Sequence, residues 1–576
     1  MYRERFLAHS CSERPLRLKL FWAGALLFTA VLGRSPLQAQ EDPTSLAGLI
    51  PDGALFVARL YNAAQTVSDL KGTALWDAIV EGPIKQRLKE EGHLEELERG
   101  AAEFESVTGL KPGKFFKKLA GRELLLAVFP GKKPRVLLLA LGEKGTDAGA
   151  VLDKLLVPLR DSGELLFLDP ITYKEVRIRH LQNQKGEEFF LLTYKSGSIL
   201  STDLALVKHC VDLAQGTAFD PITSNPTAQE VCGDLVEDAL FAWYLNVPAV
   251  LKLLREKHGP VPRRARPFVK FLRAIKGVAE GTWIEGTEIR SRTRVVVEKE
   301  KLPPILKNWW DKEPESCWFA RYLPQGEVLA GAALHIDFQA LAKAVLKALP
   351  PRAKRRAEAM LEGAGNVFLG GNSIVNDLLP ALGPDLVVIF TDLDSNDKAP
   401  GEVSLLLRIK DPKGFELLKN TIRATYGLVQ IAQEENRVQA KLLQDKEKLA
   451  MIFTVKGATP TVYLTPQALI VSSSRTAAET IVSWLNEPPA VSLQENIPPF
   501  KGFFAGLDFQ AAADWLGRNR SWLAKQGARK EKKSFEEAAK DLDTLKALLQ
   551  RFEAAVSRGI TSYDAFEVET QVLVGY

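Results

Sequence analysis

The hairpin TDLDSNDKAPGE places Asp392, Asp394, Asn396 and Asp397 within six residues of one another. Alternating hard oxygens of this kind form the first half of a calcium loop. The sixth position of such a loop needs glycine for its turn and here holds Asp397. The twelfth holds Val403 in place of a bidentate glutamate, with Glu402 one place short. The four residues are therefore calcium candidates on an exposed polar hairpin. No metal ligand, cofactor or catalytic residue is assigned.

Other reactive residue types are scattered. Beyond residue 39, histidine occurs only as His93, His180, His209, His258 and His335, and none has a histidine or cysteine partner at helical spacing. Zinc chemistry needs such a partner. His93 with Glu96 and His209 with Asp212 have helical spacing, but carboxylates are too common for that to mark a site. Ser68 and Lys71 spell S-x-x-K, without the companion elements of a serine acyl-transfer site. Gly109 to Lys114, GLKPGK, is one residue short of a phosphate loop and lacks its Ser/Thr; a helix-cap role is expected. GAGNVFLGGN from Gly363 does not follow the strand–GxGxxG–helix order of dinucleotide folds, and no G-x-S-x-G occurs. Cys210 and Cys232 leave a disulfide open, although a small apolar core role is the expectation for Cys210.

These residues are carried by a chain that repeats itself. Five landmarks recur in order at an offset of about 262 to 279 residues. IPDGALFVARLY from Ile50 is answered by LPQGEVLAGAALHI from Leu323, and LAGRELLLAVF around Gly121 by ALGPDLVVIF around Gly383. ILSTDLALVKHCVDL matches LIVSSSRTAAETIVSWL, and FAWYLNVPAVLKLL matches FFAGLDFQAAADWL. GTWIEGTEIRSRTRVVVE and ITSYDAFEVETQVLV close the two copies. A strand running into a helix through Asn or Asp occurs at Asn62, Asn246, Asp337 and Asp508. Side-chain capping of orphan amides explains all four without invoking chemistry.

Hairpin-linked strands with few crossovers predict an α+β fold: two tandem homologous repeats, each a largely antiparallel sheet with helices packed mainly on one face. The expected boundaries are a signal peptide at 1–39, repeat 1 at 43–305, an aromatic-rich junction at 306–322 and repeat 2 at 323–576. Trp309, Trp310 and Trp318 of the junction are expected to pack the copies together. The basic stretches from Arg255 and from Gly517 occupy matching places and are expected to be solvated loops between helices.

The first 39 residues combine a basic start, a 13-residue apolar stretch from Leu20 to Leu32 and a polar exit at Leu37-Gln38-Ala39. This pattern predicts a secretory signal; an uncleaved N-terminal anchor is the alternative. The apolar stretch is short of the roughly 20 residues a span requires, and no later stretch approaches that length. The segment also holds six basic and two acidic residues, so most of the formal charge of +5 leaves with it. A remainder of +1 gives nucleic-acid binding no support.

Export signal, opening (I/L)-P-x-G strand and L-x-G-x-(E/D)-L turn together resemble a bacterial family of secreted proteins catalogued as a domain of unknown function. The motif residues are Leu119, Gly121, Glu123 and Leu124, with Gly383, Asp385 and Leu386 as the partner set. The resemblance implies location and fold and carries no catalytic residues.

The expected function is a non-catalytic, periplasmic or extracellular binding or scaffolding protein for an unknown protein or small-molecule ligand. One alternative is an extracytoplasmic hydrolase assembled from distant residues, seeded by Asp392 or Asp394 with His335. The other is a carrier of an apolar ligand, which would require a dry cavity of several hundred Å³.

Overall fold

The computed structural model describes residues 45–574, apart from 72, 74–75, 77–81, 91, 237, 263–265, 286, 304–306, 308–309, 311–312, 394–400, 433–438, 446–447, 456–457, 496, 498 and 562–564. The expected signal segment therefore lies outside the described residues, as do Asp394, Asn396, Asp397 and Trp309. The chain is a mixed α and β protein with a large antiparallel sheet. It divides into two compact units, the first holding most of residues 45–283 and the second most of 284–574, with short segments at 73–84 and 261–275 also assigned to the second.

The strands of the first unit are β1 (Phe56–Tyr61), β2 (Glu123–Phe129), β3 (Arg135–Leu141), β4 (Leu165–Phe167), β5 (Ile171–Tyr173), β6 (Val176–Asn183), β7 (Glu188–Tyr194), β8 (Gly197–Ser201), β9 (Phe241–Leu245) and β10 (Ile275–Glu285). They pair antiparallel in the order β10-β9-β1-β2-β3-β8-β7-β6, with β4 and β5 on the outer edge of β6. β2, ELLLAVF, alternates buried and half-buried residues, the period-2 signature of a strand with one covered face. Helices Pro112–Ala120 and Ala148–Asp161 deliver Phe115, Leu119, Leu152 and Leu156 to a core shared with Leu165 of β4, Leu181 of β6 and Leu191 of β7.

The second unit adds β11 (Glu288–Val297), β12 (Val328–His335), β13 (Leu382–Thr391), β14 (Glu402–Ile409), β15 (Gln439–Gln444), β16 (Leu449–Thr454), β17 (Thr461–Leu464), β18 (Ala468–Ser472), β19 (Phe503–Asp508), β20 (Phe552–Thr561) and β21 (Ala565–Val574). Its antiparallel order is β11-β21-β20-β19-β12-β13-β14-β18-β17-β16-β15. Its core gathers Phe319, Ile389, Leu406, Ile470, Ile481 and Phe500, and a second cluster under helix Pro412–Ala432 adds Phe415 and Ile422.

Capping follows the sequence at three of the four Asx positions. Asn246, Asp337 and Asp508 accept the amides of Ala249, Ala340 and Ala511 at 3.1, 2.8 and 2.8 Å. Asn62 differs: its backbone is left-handed (φ 48°) and its side chain caps nothing. The tight turn into helix Ala63–Leu70 uses the Asn62 amide instead, which donates to Arg122 O at 2.7 Å. Asp203 and Ser474 cap their helices as the strand-to-helix pattern implies. GLKPGK also does the work of termini, with left-handed Gly109 (φ 67°) closing helix His93–Thr108 and Pro112 opening the next helix.

Two further expectations are corrected. The basic stretch from Gly517 is helical, not a loop: Arg520–Glu531 forms a helix followed by Phe535–Leu549. Arg520 is held there by Asp543 at 2.6 Å and Lys533 by Asp541 at 2.9 Å, while Ser534 and Glu537 form a reciprocal capping box. The described junction tryptophans pack inside the second unit: Trp318 against Phe319 and Tyr322, and Trp310 near Phe566.

Candidate functional site

The acid of the L-x-G-x-(E/D)-L motif is buried in both units, and a buried carboxylate must find donors. Glu123, at 1 % exposure, accepts the Leu46 amide at 2.7 Å, Ser45 Oγ at 3.2 Å and Arg59 Nε at 2.8 Å. It thereby fastens the 3-10 turn Leu46–Leu49, which leads into the opening strand. Arg59 also donates to Val236 O at 2.9 Å and lies over the Tyr61 ring at 4.5 Å.

Asp385, at 2 % exposure, accepts the Trp318 amide at 3.4 Å and Arg408 Nη1 at 3.3 Å. It fastens the 3-10 turn Trp318–Tyr322 ahead of β12. The motif glycine has a direct purpose here. A Cβ on Gly383 would come within 2.8 Å of the Arg408 stem, so only glycine leaves that arginine its path to Asp385.

His335 Nε2 lies 2.9 Å from Asp385 Oδ1. The imidazole stacks on Phe500 at 4.4 Å between ring centres, and Phe500 in turn packs on Phe504 at 5.7 Å. Burial works to raise the Asp385 carboxyl, but His335 and Arg408 outweigh it and hold the group below the ordinary carboxylate range. A histidine beside an acid is the seed of general-base chemistry. This pair, however, is buried beneath an aromatic ring, lines neither cavity described below, and has its acid engaged by the Trp318 amide and Arg408.

The sequence-selected residues do not assemble with it. Asp392 receives Nε and Nη2 of Arg518 at 3.0 and 2.7 Å and does not meet His335. His209 meets Asp220 at 2.8 Å rather than Asp212, whose carboxylate accepts Tyr173 Oη at 3.0 Å and pairs with Lys174 at 2.7 Å. Ser68 is exposed and Lys71 closes its helix. Among the described residues, no group of three or more His, Cys, Asp or Glu could hold a metal ion. No disulfide joins Cys210 to Cys232, and Cys210 is fully buried in the core.

The first unit contains a cavity of about 390 Å³. Val57 and Arg59 of β1, Leu125 of β2, and Ala242 and Tyr244 of β9 form its sheet wall. β-Pairing sets Arg59 between Ala242 and Leu125, and Val57 beside Tyr244, so their side chains share a face. Ala228 and Val236 form part of the opposite wall, and exposed Thr223, Gln229 and Gly233 mark the mouth.

The second unit holds a smaller space of about 160 Å³ against β12, β13 and β19. There Ala333 lies between Phe504 and Val387, and the Phe504 side chain takes up room on the covered face. Sequence reasoning passed over both cavities. The available signal was the difference between FAWYL and FFAGL, which sets Ala242 against Phe504 and Tyr244 against Gly506.

No family model matches the chain, and no curated protein does. Solved structures of TP0453 in crystal forms III, IV and I align at 10, 11 and 12% identity. They cover 48, 45 and 47% of this chain and 90, 81 and 84% of their own, each with a TM-score of 0.23. A superposition that loose carries no argument about fold or role.

Proposed function

We propose that this is an exported, non-catalytic binding protein of two related lobes, the first of which holds a small-molecule ligand. The observation that carries the reading is a separation of reactive groups from space. His335 and Asp385 are packed under Phe500 and line neither cavity, and the 390 Å³ cavity presents no histidine or carboxylate among the described residues. Its volume falls in the range of small-molecule sites, about 300–1,000 Å³.

The two-lobe part rests on strand order. β10-β9-β1-β2-β3-β8-β7-β6 and β20-β19-β12-β13-β14-β18-β17-β16 follow one scheme, strand for strand. Tyr61 pairs with Glu123 where His335 pairs with Asp385, and each acid anchors a 3-10 turn. These correspondences support tandem repeats with helices mainly on one face of each sheet, and the limits 43–305 and 323–576 remain our division. Export and kinship with the secreted family rest on the N-terminal pattern and the shared motifs. No helix among the described residues is long and apolar enough to cross a membrane.

Solvent extraction of the protein isolated from the exported fraction, followed by mass spectrometry, tests the reading. One small molecule at near-stoichiometric yield is expected. Ligand-free protein that instead turns over an ester or amide panel, with turnover lost in His335→Asn, would overturn it.

A further inference from the structure

The electrostatics of the first-unit cavity specify more than its existence. Arg59 is the charged side chain in its described wall, and that charge is already balanced by Glu123 at 2.8 Å. The guanidinium is also bonded to Val236 O and laid over Tyr61. The Glu123 oxygens are taken by Leu46, Ser45 and Arg59. An anionic ligand would compete with Glu123 for the Arg59 guanidinium, and a cationic one would find no uncommitted carboxylate among the described lining residues. In either case the ligand charge loses its water without return. The space suits molecules larger than one ring. An apolar cavity of about 150 Å³ takes benzene, so this one scales to about fifteen non-hydrogen atoms.

We infer that the first-unit cavity binds an uncharged, predominantly hydrophobic molecule of about that size, with any polar end directed to the mouth at Thr223. The inference rests on the reading of the protein as a binder and adds the chemical class and the reason the second lobe does not share the site. At the register position of Ala242, the second lobe carries Phe504, braced by Phe500 and His335. The aromatic stack occupies there what Ala242 leaves open, while Gly506 at the place of Tyr244 leaves the second lobe its smaller space. In this respect the lobes have diverged within one scaffold: the first keeps about 390 Å³ of open space and the second about 160 Å³.

The test is a fluorescence titration of the purified full chain with N-phenyl-1-naphthylamine, a neutral fused-ring probe, beside the anionic probe anilinonaphthalene sulfonate. Saturable enhancement with the neutral probe at micromolar concentration is expected, with the anion at least tenfold weaker. Ala242→Phe and, independently from the opposite wall, Ala228→Leu should each weaken the neutral probe at least tenfold while retaining a native urea midpoint. Two substitutions on different walls keep the result readable if one of them fails to fold. Equal affinity for the two probes, lost in both variants, overturns the ligand class and leaves a binding site. Neutral-probe affinity unchanged in both variants overturns the location. Absence of binding by either probe overturns the inference, while the extraction experiment judges the binding role separately.

Discussion

Asp385 sits beside His335, Nε2 to Oδ1 at 2.9 Å, with side-chain exposures of 2 and 11 %. Because His335 and Arg408 hold the folded carboxyl below its ordinary range, the contribution has a definite sign with pH. It is fully present above the unfolded value of about 4 and is lost as pH falls through the lower folded value. Asp385→Asn is expected to cost about 3 kcal/mol at pH 7, since it strips one partner from a buried cluster. The deficit against wild type should shrink below pH of about 4. Urea unfolding at a series of pH values measures this, and parallel stability curves would contradict it.

Glu123 makes the corresponding attachment in the first unit through the Leu46 amide and Arg59. Glu123→Gln preserves volume but turns an acceptor-only group into one that presents an amide to two donors. A loss of about 2–3 kcal/mol is expected, because charged hydrogen bonds contribute that much and unsatisfied donors remain. Faster proteolysis near Ser45–Leu49 should accompany it. Wild-type stability in this variant would remove the anchoring role assigned to the motif acid.

Phe504 and Ala242 should respond in opposite directions. Phe504→Ala is expected to cost about 3–5 kcal/mol by emptying a buried aromatic site. Ala242→Phe should leave stability unchanged or raise it, since it fills existing space. Urea midpoints read both, and strong destabilisation by Ala242→Phe would mean that the first unit has no room at that position.

The three thiols described should differ in reactivity. Burial pushes Cys210 up to about 12 and Cys317 to about 11. Cys232 is partly exposed and lines the cavity. At pH 8 iodoacetamide should modify Cys232 first, while Cys210 and Cys317 react only after unfolding, because the thiolate is the nucleophile. A neutral ligand should slow the Cys232 reaction. Peptide mass spectrometry of the timed reaction decides.

Much of the fold was legible because strands and caps are local. The alternation in ELLLAVF and the Asx residues ahead of helices at Asn246, Asp337 and Asp508 depend on neighbours a few places away. Asn62 broke the pattern because its turn is fixed by Arg122, which precedes the neighbouring strand β2. The GLKPGK and S-x-x-K segments proved to be helix ends, as termini chemistry implies. The site was less legible. Asp385 meets His335 through β12–β13 pairing, and spacing along the chain carries no trace of that; the eye falls instead on Asp392, which is bound to Arg518. A cavity is a property of what fails to fill a face. It appeared in the letters as alanine opposite phenylalanine and tyrosine opposite glycine, and became meaningful once register put Ala242 beside Arg59.

The proposed ligand site can be tested directly by crystallography of the protein soaked with a brominated naphthalene. Anomalous density between Ala242 and Ala228 in the first unit, with none beside Phe504, is the expected result. Density confined to the second unit, or to the surface alone, would contradict the account.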